Sequence, residues 1–240
     1  MNVPSRSTTL LLVHGAWHGP AVFDALRREL SALGYPSSTV KLPTSGPDPR
    51  GGLRDDAGAV RDAITAIDGP LAVVAHSYGG VPVTEAAALP GVEHLVYLAA
   101  YQLDRGESVG SFHGMPEPAD TSGLSPIIAD PRTSLYADVP DDAAGLAVSR
   151  LVEQRTQSFT DRVGEPAWHT IPSTYILCEQ DQALPASEQE RMAVRAKSVR
   201  RLATSHSPFL SRPAELAALL AEIVTPASDS LPDRSEGSTC

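Results

Sequence analysis

The stretch "VVAHSYGGVP", residues 73–82, sets the end of an apolar run, Leu71–Ala75, against a serine with small residues directly behind it. An apolar run this short, bounded by turn residues, has the character of a strand buried on both faces. A helix is expected from about Gly79 to Leu89, so the chain must bend sharply between the two. Such a bend strains the backbone at Ser77 and aims its hydroxyl out of the C-terminal edge of a sheet. It also brings strand and helix close together, so the positions two residues either side must be small. Ala75 and Gly79 meet that demand, and Gly80 extends it. The pattern is a nucleophile elbow with alanine in the place of the first glycine of G-x-S-x-G. The plainer alternative is a serine that caps the helix after it.

The rest of the chain places this turn in an alternating architecture. Thr9–His14 is a continuous apolar run that ends in His-Gly and reads as a buried strand. Phe23, Leu26, Leu30 and Leu33 follow at helical spacing, and Gly34 stops that helix. Ser38–Leu42 reads as a second strand, and "PTSGPDPRGG", residues 43–52, as a loop. Leu53, Ala57, Val60, Ile64 and Ile67 make one apolar helix face, and Glu93–Ala100 is a further strand. Alternation of strand and helix argues for a parallel sheet covered on both faces.

The pattern breaks at about Leu103. To about Ile171 the chain is rich in Gly, Pro, Asp and Ser, with short helical pieces such as Ala143–Glu153. Alternation then resumes with strand Ser173–Cys178, helix Ala186–Ala196, strand Ser198–Ala203 and helix Pro213–Val224. We therefore expect an α/β core in two parts, residues 1–102 and 172–225. Residues 103–171 form a cap inserted over one end of the sheet. The polar tail, 226–240, is expected to be disordered.

Composition narrows the classes of function. The chain has 240 residues, 42% apolar and 20% charged, the balance of one globular domain. No apolar run approaches the ~20 residues needed to span a bilayer. The start, "MNVPSRSTTLLLVHG", has too short an apolar stretch for a signal peptide. A net charge of −10 gives no nucleic-acid footprint. Two cysteines, Cys178 and Cys240, lie far apart in unlike contexts, which suggests reduced thiols and a cytoplasmic home. Seventeen of the 19 basic residues are arginine, a composition expected of a bacterial genome rich in G and C.

A neutral serine hydroxyl needs a base to take its proton, and the base needs a carboxylate to orient it. After an elbow the chain order is serine, acid, histidine. "EQDQALP", after the strand Ser173–Cys178, offers Glu179 and Asp181. Asp181 is preferred because the turn has room to bring it back over the strand end. Glu179 is second, and Asp104 a distant third. "TSHSPFLSRP" offers His206, in a late loop with a helix start after it. The six other histidines read as surface or hydrogen-bonded structural residues, with His76 expected to turn its ring away from the nucleophile. The charge that develops on a carbonyl oxygen needs preorganised N–H donors. Tyr78, the residue after the nucleophile, supplies one. Ala16 supplies the other from "HGAWHG", where Gly15 permits a tight turn. Trp17, Tyr101, Phe112, Met115, Phe159 and Trp168 are candidates to line an apolar substrate pocket, although such residues more often simply pack.

Taken together, "LLVHGAWHGPAVF", "VVAHSYGGVP", "LVYLAAYQLDRGES", "PSTYILCEQDQALP" and "SHSPFLSRPAELA" resemble the α/β-hydrolase superfamily. More narrowly, the chain resembles its small esterase branch, which includes plant methyl esterases, hydroxynitrile lyases and bacterial esterases of similar size. The resemblance implies an eight-stranded, mostly parallel sheet with helices on both faces and an inserted cap. It implies Ser77 as nucleophile, Asp181 as acid and His206 as base, with Ala16 and Tyr78 as oxyanion donors. It implies a small-molecule ester or lactone as substrate, and no cofactor or metal. Where hydroxynitrile lyases of this branch carry a threonine and a lysine, this chain has Gly15 and Ser207, which favours ester hydrolysis. The rival readings are a lyase or cyclase using the same pocket, and a small-molecule receptor.

Overall fold

The computed structural model describes residues 8–225. The strands, in chain order, are β1 Thr9–Val13, β2 Ser37–Val40, β3 Ser45–Gly46, β4 Leu71–His76, β5 Val92–Leu98, β6 Leu124–Ser125, β7 Glu153–Arg155, β8 Ser173–Cys178 and β9 Ser198–Leu202. The helices are α1 Asp24–Ala32, α2 Leu53–Thr65, α3 Gly80–Ala86, α4 Val109–Phe112, α5 Pro131–Tyr136, α6 Asp141–Ser149, α7 Gln157–Thr160, α8 Ala186–Ala193, α9 Pro208–Ser211 and α10 Pro213–Val224.

The apolar runs become strands because both of their faces are covered. Leu11, Val13, Val73, Ala75, Tyr97 and Leu177 point to one side, where they pack with residues of α2, α3 and α8. Their alternate neighbours Leu10, Leu12, Ala72, Val74, Leu98 and Ile176 point to the other, against α1, α9 and α10. A period of two with both faces buried keeps the interiors of β1 and β4 apolar. The helix stops also follow from the sequence. Gly34, at φ +83°, closes α1, with its own N–H on Ser31 O (3.0 Å) and the Tyr35 N–H reaching back to Leu30 O (2.9 Å).

The spatial order of the main sheet is β2-β1-β4-β5-β8-β9, and every neighbouring pair is parallel. This corrects the expected eight strands to six among the described residues. The remaining three, β3-β7-β6, form a separate antiparallel ribbon. At the β9 edge, Arg200 and Arg201 pair with Glu222 (3.8 Å) and Glu190 (3.0 Å), charges that discourage a further strand. The ribbon also revises the expected loop at 43–52, because Ser45 pairs with Gln154 across it. The helix expected over Ala143–Glu153 ends at Ser149, since Glu153 already belongs to β7. The helix after β8 stops at Ala193, not Ala196. The tail 226–240 lies outside the described residues.

This order decides where a site can form. β1 has β2 on one side and β4 on the other, so the chain leaves β1 toward one face and reaches β4 from the opposite one. Loops at the carboxyl ends of two such strands diverge and leave a crevice. The loop after β1 carries residues 14–19, and the turn after β4 carries Ser77.

The turn after β4 is packed to its limit. A Cβ on Gly79 would lie 2.6 Å from His14 O and 2.7 Å from Val13 O. One on Gly80 would lie 2.5 Å from Tyr101 O. Backbone cannot yield as a side-chain tip does, so Gly79→Ala and Gly80→Ala are each expected to destabilise by about 1–3 kcal/mol in urea unfolding. Gly145→Ala, in α6 with open space around the new methyl, should be neutral or stabilising. Equal effects at all three positions would contradict the close-approach account.

Candidate active site

Ser77 has φ +52°, a left-handed conformation that a residue with a Cβ adopts rarely. The Tyr101 N–H holds the bend by donating to Ser77 O (3.1 Å). The loop after β1 lies directly on this serine. A Cβ at Gly15 would sit 2.8 Å from the Ser77 Cβ, so only glycine permits the approach. Trp17 is also left-handed, at φ +61°. Its N–H donates to Gln154 Oε1 (3.3 Å) and its carbonyl accepts from Val152 N–H (2.8 Å), so residues in and beside β7 fix the strained loop. The backbone N–H groups of Ala16 and Tyr78 have no acceptor among the described residues.

His14 and His18 brace the same loop from below. His14 Nδ1–H donates to Gly15 O (2.9 Å) while Nε2 accepts from Leu42 N–H (3.3 Å), and burial pushes its pKa down to about 4. His18 Nδ1–H donates to Ala16 O (2.6 Å), and Nε2 accepts from the Tyr136 hydroxyl (2.7 Å). Burial lowers its pKa to about 3, so both rings stay neutral and keep these tautomers. His76 has a role the sequence did not show. Its ring lies 4.6 Å from that of His206 and its Nε2–H donates to His206 O (2.9 Å). Burial holds it well below the ordinary histidine range.

His206 is the one histidine among the described residues whose ring meets a buried carboxylate. Its Nδ1–H donates to Asp181 Oδ2 at 2.7 Å. Asp181 also accepts from Ala183 N–H (2.8 Å), Leu184 N–H (2.9 Å) and Gln189 Nε2 (3.1 Å). Four donors around a buried carboxylate fix its orientation. Gln189, fully buried on α8, is itself held by Cys178 N–H (3.0 Å) and by the carbonyls of Cys178 (3.2 Å) and Leu184 (2.7 Å). Of the other acids considered, Glu179 is exposed beside Arg201 (3.7 Å) and Asp104 meets the exposed His169 (3.1 Å). The loop before His206 is tied down by Asp138, whose carboxylate accepts from both the backbone N–H (3.0 Å) and the hydroxyl of Ser205.

Ser77 and His206 line one small cavity of about 70 Å³. Ala16, Tyr78, Trp17, Tyr101 and Phe159 line it too. Three of the expected pocket residues do not. Phe112 is buried beneath the Arg191 guanidinium, 4.4 Å from its ring centre, and Met115 is 62% exposed. Trp168 turns its indole N–H to Leu103 O (2.8 Å). Their spacing along the chain carried no information about which way the segment folds back. His18, Ile128, Leu135 and Leu184 line the cavity without having been singled out for it. The buried face of α8 did hold a signal for Gln189, a polar residue at helical spacing from Met192 and Ala193. Among the described residues no group of three His, Cys, Asp or Glu is placed to hold a metal ion. No described helix is long and apolar enough to cross a membrane.

The sequence pattern of the alpha/beta hydrolase family matches residues 10–219. An alpha/beta hydrolase of Aspergillus novofumigatus, nvfD, is 30% identical over 85% of this chain and 91% of its own. Methylesterase 1 of Arabidopsis thaliana is 23% identical over 90% of this chain and 95% of its own. The crystal structure of a pyrethroid hydrolase from Sphingobium faniae superposes with a TM-score of 0.76 at 25% identity, covering 91% of this chain and 97% of that one.

A buried carboxyl behind Tyr78 gives the site a measurable pH signature. Asp56 accepts from the Tyr78 hydroxyl (2.7 Å), the Thr44 hydroxyl (2.5 Å) and the Thr44 N–H (3.0 Å). Burial outweighs these donors and raises its pKa from 3.8 to about 6. A raised folded-state value favours the folded protein in full below pH 3.8, and that contribution is lost as pH rises through about 6. The shift corresponds to about 3 kcal/mol. Asp56→Asn should therefore gain most of that amount relative to the unsubstituted protein between pH 4 and pH 7, measured by urea unfolding. A difference that does not change with pH would contradict the assignment.

Proposed function

The chain belongs to the alpha/beta hydrolase family, and we propose that within it the protein is a serine hydrolase that cleaves a small carboxylic ester or lactone through an acyl-enzyme. The observation that carries this reading is the buried His206–Asp181 pair opening onto the same cavity as the strained Ser77.

The chemistry follows from the donors and acceptors in place. Asp181 occupies His206 Nδ1–H, which leaves Nε2 as the lone-pair nitrogen. Nε2 takes the Ser77 proton as Oγ attacks the ester carbonyl carbon. The oxygen that becomes negative rests on the N–H groups of Ala16 and Tyr78, each such donor contributing about 2.7–4 kcal/mol. His206 then gives its proton to the departing alcohol oxygen. Water, deprotonated by the same nitrogen, attacks the acyl carbon and releases the acid, and Ser77 recovers its proton. The intervening segment, 103–171, serves as a cap, since Ile128, Leu135 and Phe159 reach the cavity from it. Lyase chemistry of the hydroxynitrile type is disfavoured because, among the described residues, no lysine or arginine lines the cavity to meet a departing anion.

Ser77→Ala is expected to lower kcat for p-nitrophenyl acetate at least roughly a thousandfold, with the fold unchanged. A fluorophosphonate probe should add its mass to Ser77 in the unsubstituted protein alone. Full turnover by Ser77→Ala, or no labelling of Ser77, would overturn the serine mechanism and favour a lyase or a receptor.

A further inference from the structure

The cavity at Ser77 is too small for a whole substrate. Its volume is about 70 Å³, whereas ligand pockets run to about 300–1,000 Å³. A small acyl group fits there and little else. A second hollow, of about 340 Å³, shares His18 with it as a common wall. Tyr136, hydrogen-bonded to that His18, lines this hollow, while the adjacent Leu135 lines the cavity. His18, with Tyr136 hydrogen-bonded to it, therefore stands between the two spaces.

The hollow is lined mainly by apolar side chains, together with His18, Tyr136 and Arg150. On one side is the turn Gly19–Val22. Opposite it run Ala143, Leu146, Ala147 and Arg150, a stripe at spacings of three, one and three along α6 and its end. Ala144 packs with Leu135, Tyr136 and Val139, and Ala147 and Leu210 pack against that small core, whereas Ala143 and Leu146 are exposed. Leu146 is 51% exposed, a large apolar side chain left uncovered at this surface. Leu210 closes the hollow from α9, the helix that begins two residues after His206. That side belongs to the leaving group, because His206 is the proton donor to the departing alcohol.

We propose that this hollow receives the apolar alcohol portion of the ester, reached from Ser77 by displacement of the His18–Tyr136 pair. The proposal deepens the esterase reading above and rests on it. The substrate class it names is the ester of a small acid with an extended apolar alcohol.

The test compares hexyl acetate with ethyl acetate. Ala143→Trp fills the hollow and Leu146→Asp puts a charge in it, both at exposed positions where the fold tolerates change. Each should lower the ratio of kcat/KM for hexyl over ethyl acetate at least tenfold. An unchanged ratio in both variants would overturn the proposal. A binding arm separates it from the esterase reading. Titration calorimetry should find hexyl acetate bound by Ser77→Ala protein, with at least tenfold weaker binding after Ala143→Trp is added. If that loss is seen while neither ester is turned over by the unsubstituted protein, the hollow stands and the hydrolytic reading falls. Equal affinities, or no binding, would overturn the hollow.

Discussion

Three segments of backbone meet at Ser77 with no space between them. The serine itself sits at φ +52°. Gly15 lies against its Cβ, Gly79 against the carbonyls of Val13 and His14, and Gly80 against Tyr101. A strained residue of this kind costs about 1–3 kcal/mol and persists only where its surroundings over-determine it. Here the surroundings are the end of β1, the start of α3 and the chain leaving β5, which meet only because β1, β4 and β5 are neighbours in the sheet. The hydroxyl is presented by sheet topology, and the glycines are what permits the topology to close.

Electrostatics then divides the buried polar groups into two kinds. Asp181 has four hydrogen-bond donors, one of them the His206 imidazole. Asp56 has three donors, but burial outweighs them and its pKa rises to about 6. Its position explains why it is kept. One oxygen holds the hydroxyl of Tyr78, and the same oxygen holds Thr44, which accepts from Gln154 (2.8 Å), which in turn accepts from Trp17 N–H (3.3 Å). A single carboxyl thus joins the two segments that carry the proposed oxyanion donors. The neutral histidines do the same work by geometry, each spending both nitrogens, or one in the case of His76, on backbone or side-chain partners.

The segment between β5 and β8 is bound into this arrangement at three points. Gln154 and Val152 hold Trp17, Tyr136 holds His18, and Asp138 holds Ser205 beside His206. Each contact reaches a loop that carries a proposed catalytic group. The segment therefore shapes the pocket and fixes the loops in one structure, and a movement that opens the pocket must loosen at least one of these contacts.

Local sequence was enough to specify the six strands of the main sheet, the helices that cover it and the turn at Ser77. These depend on residues close together in the chain: apolar runs buried on both faces, a glycine closing α1, small residues around a serine. It also supplied a short set of acids and histidines in a workable order. The tertiary structure alone decided which of them meet. Asp181 rather than Glu179 reaches His206 because the turn after β8 folds its side chain inward against Gln189. The six-stranded sheet, the ribbon that draws Ser45 to Gln154, and the clamps from Tyr136 and Asp138 had no local signature. The ribbon pair and the two clamps join residues 67 to 118 positions apart, and such pairs are selected by how well whole surfaces pack, which no short stretch of sequence encodes.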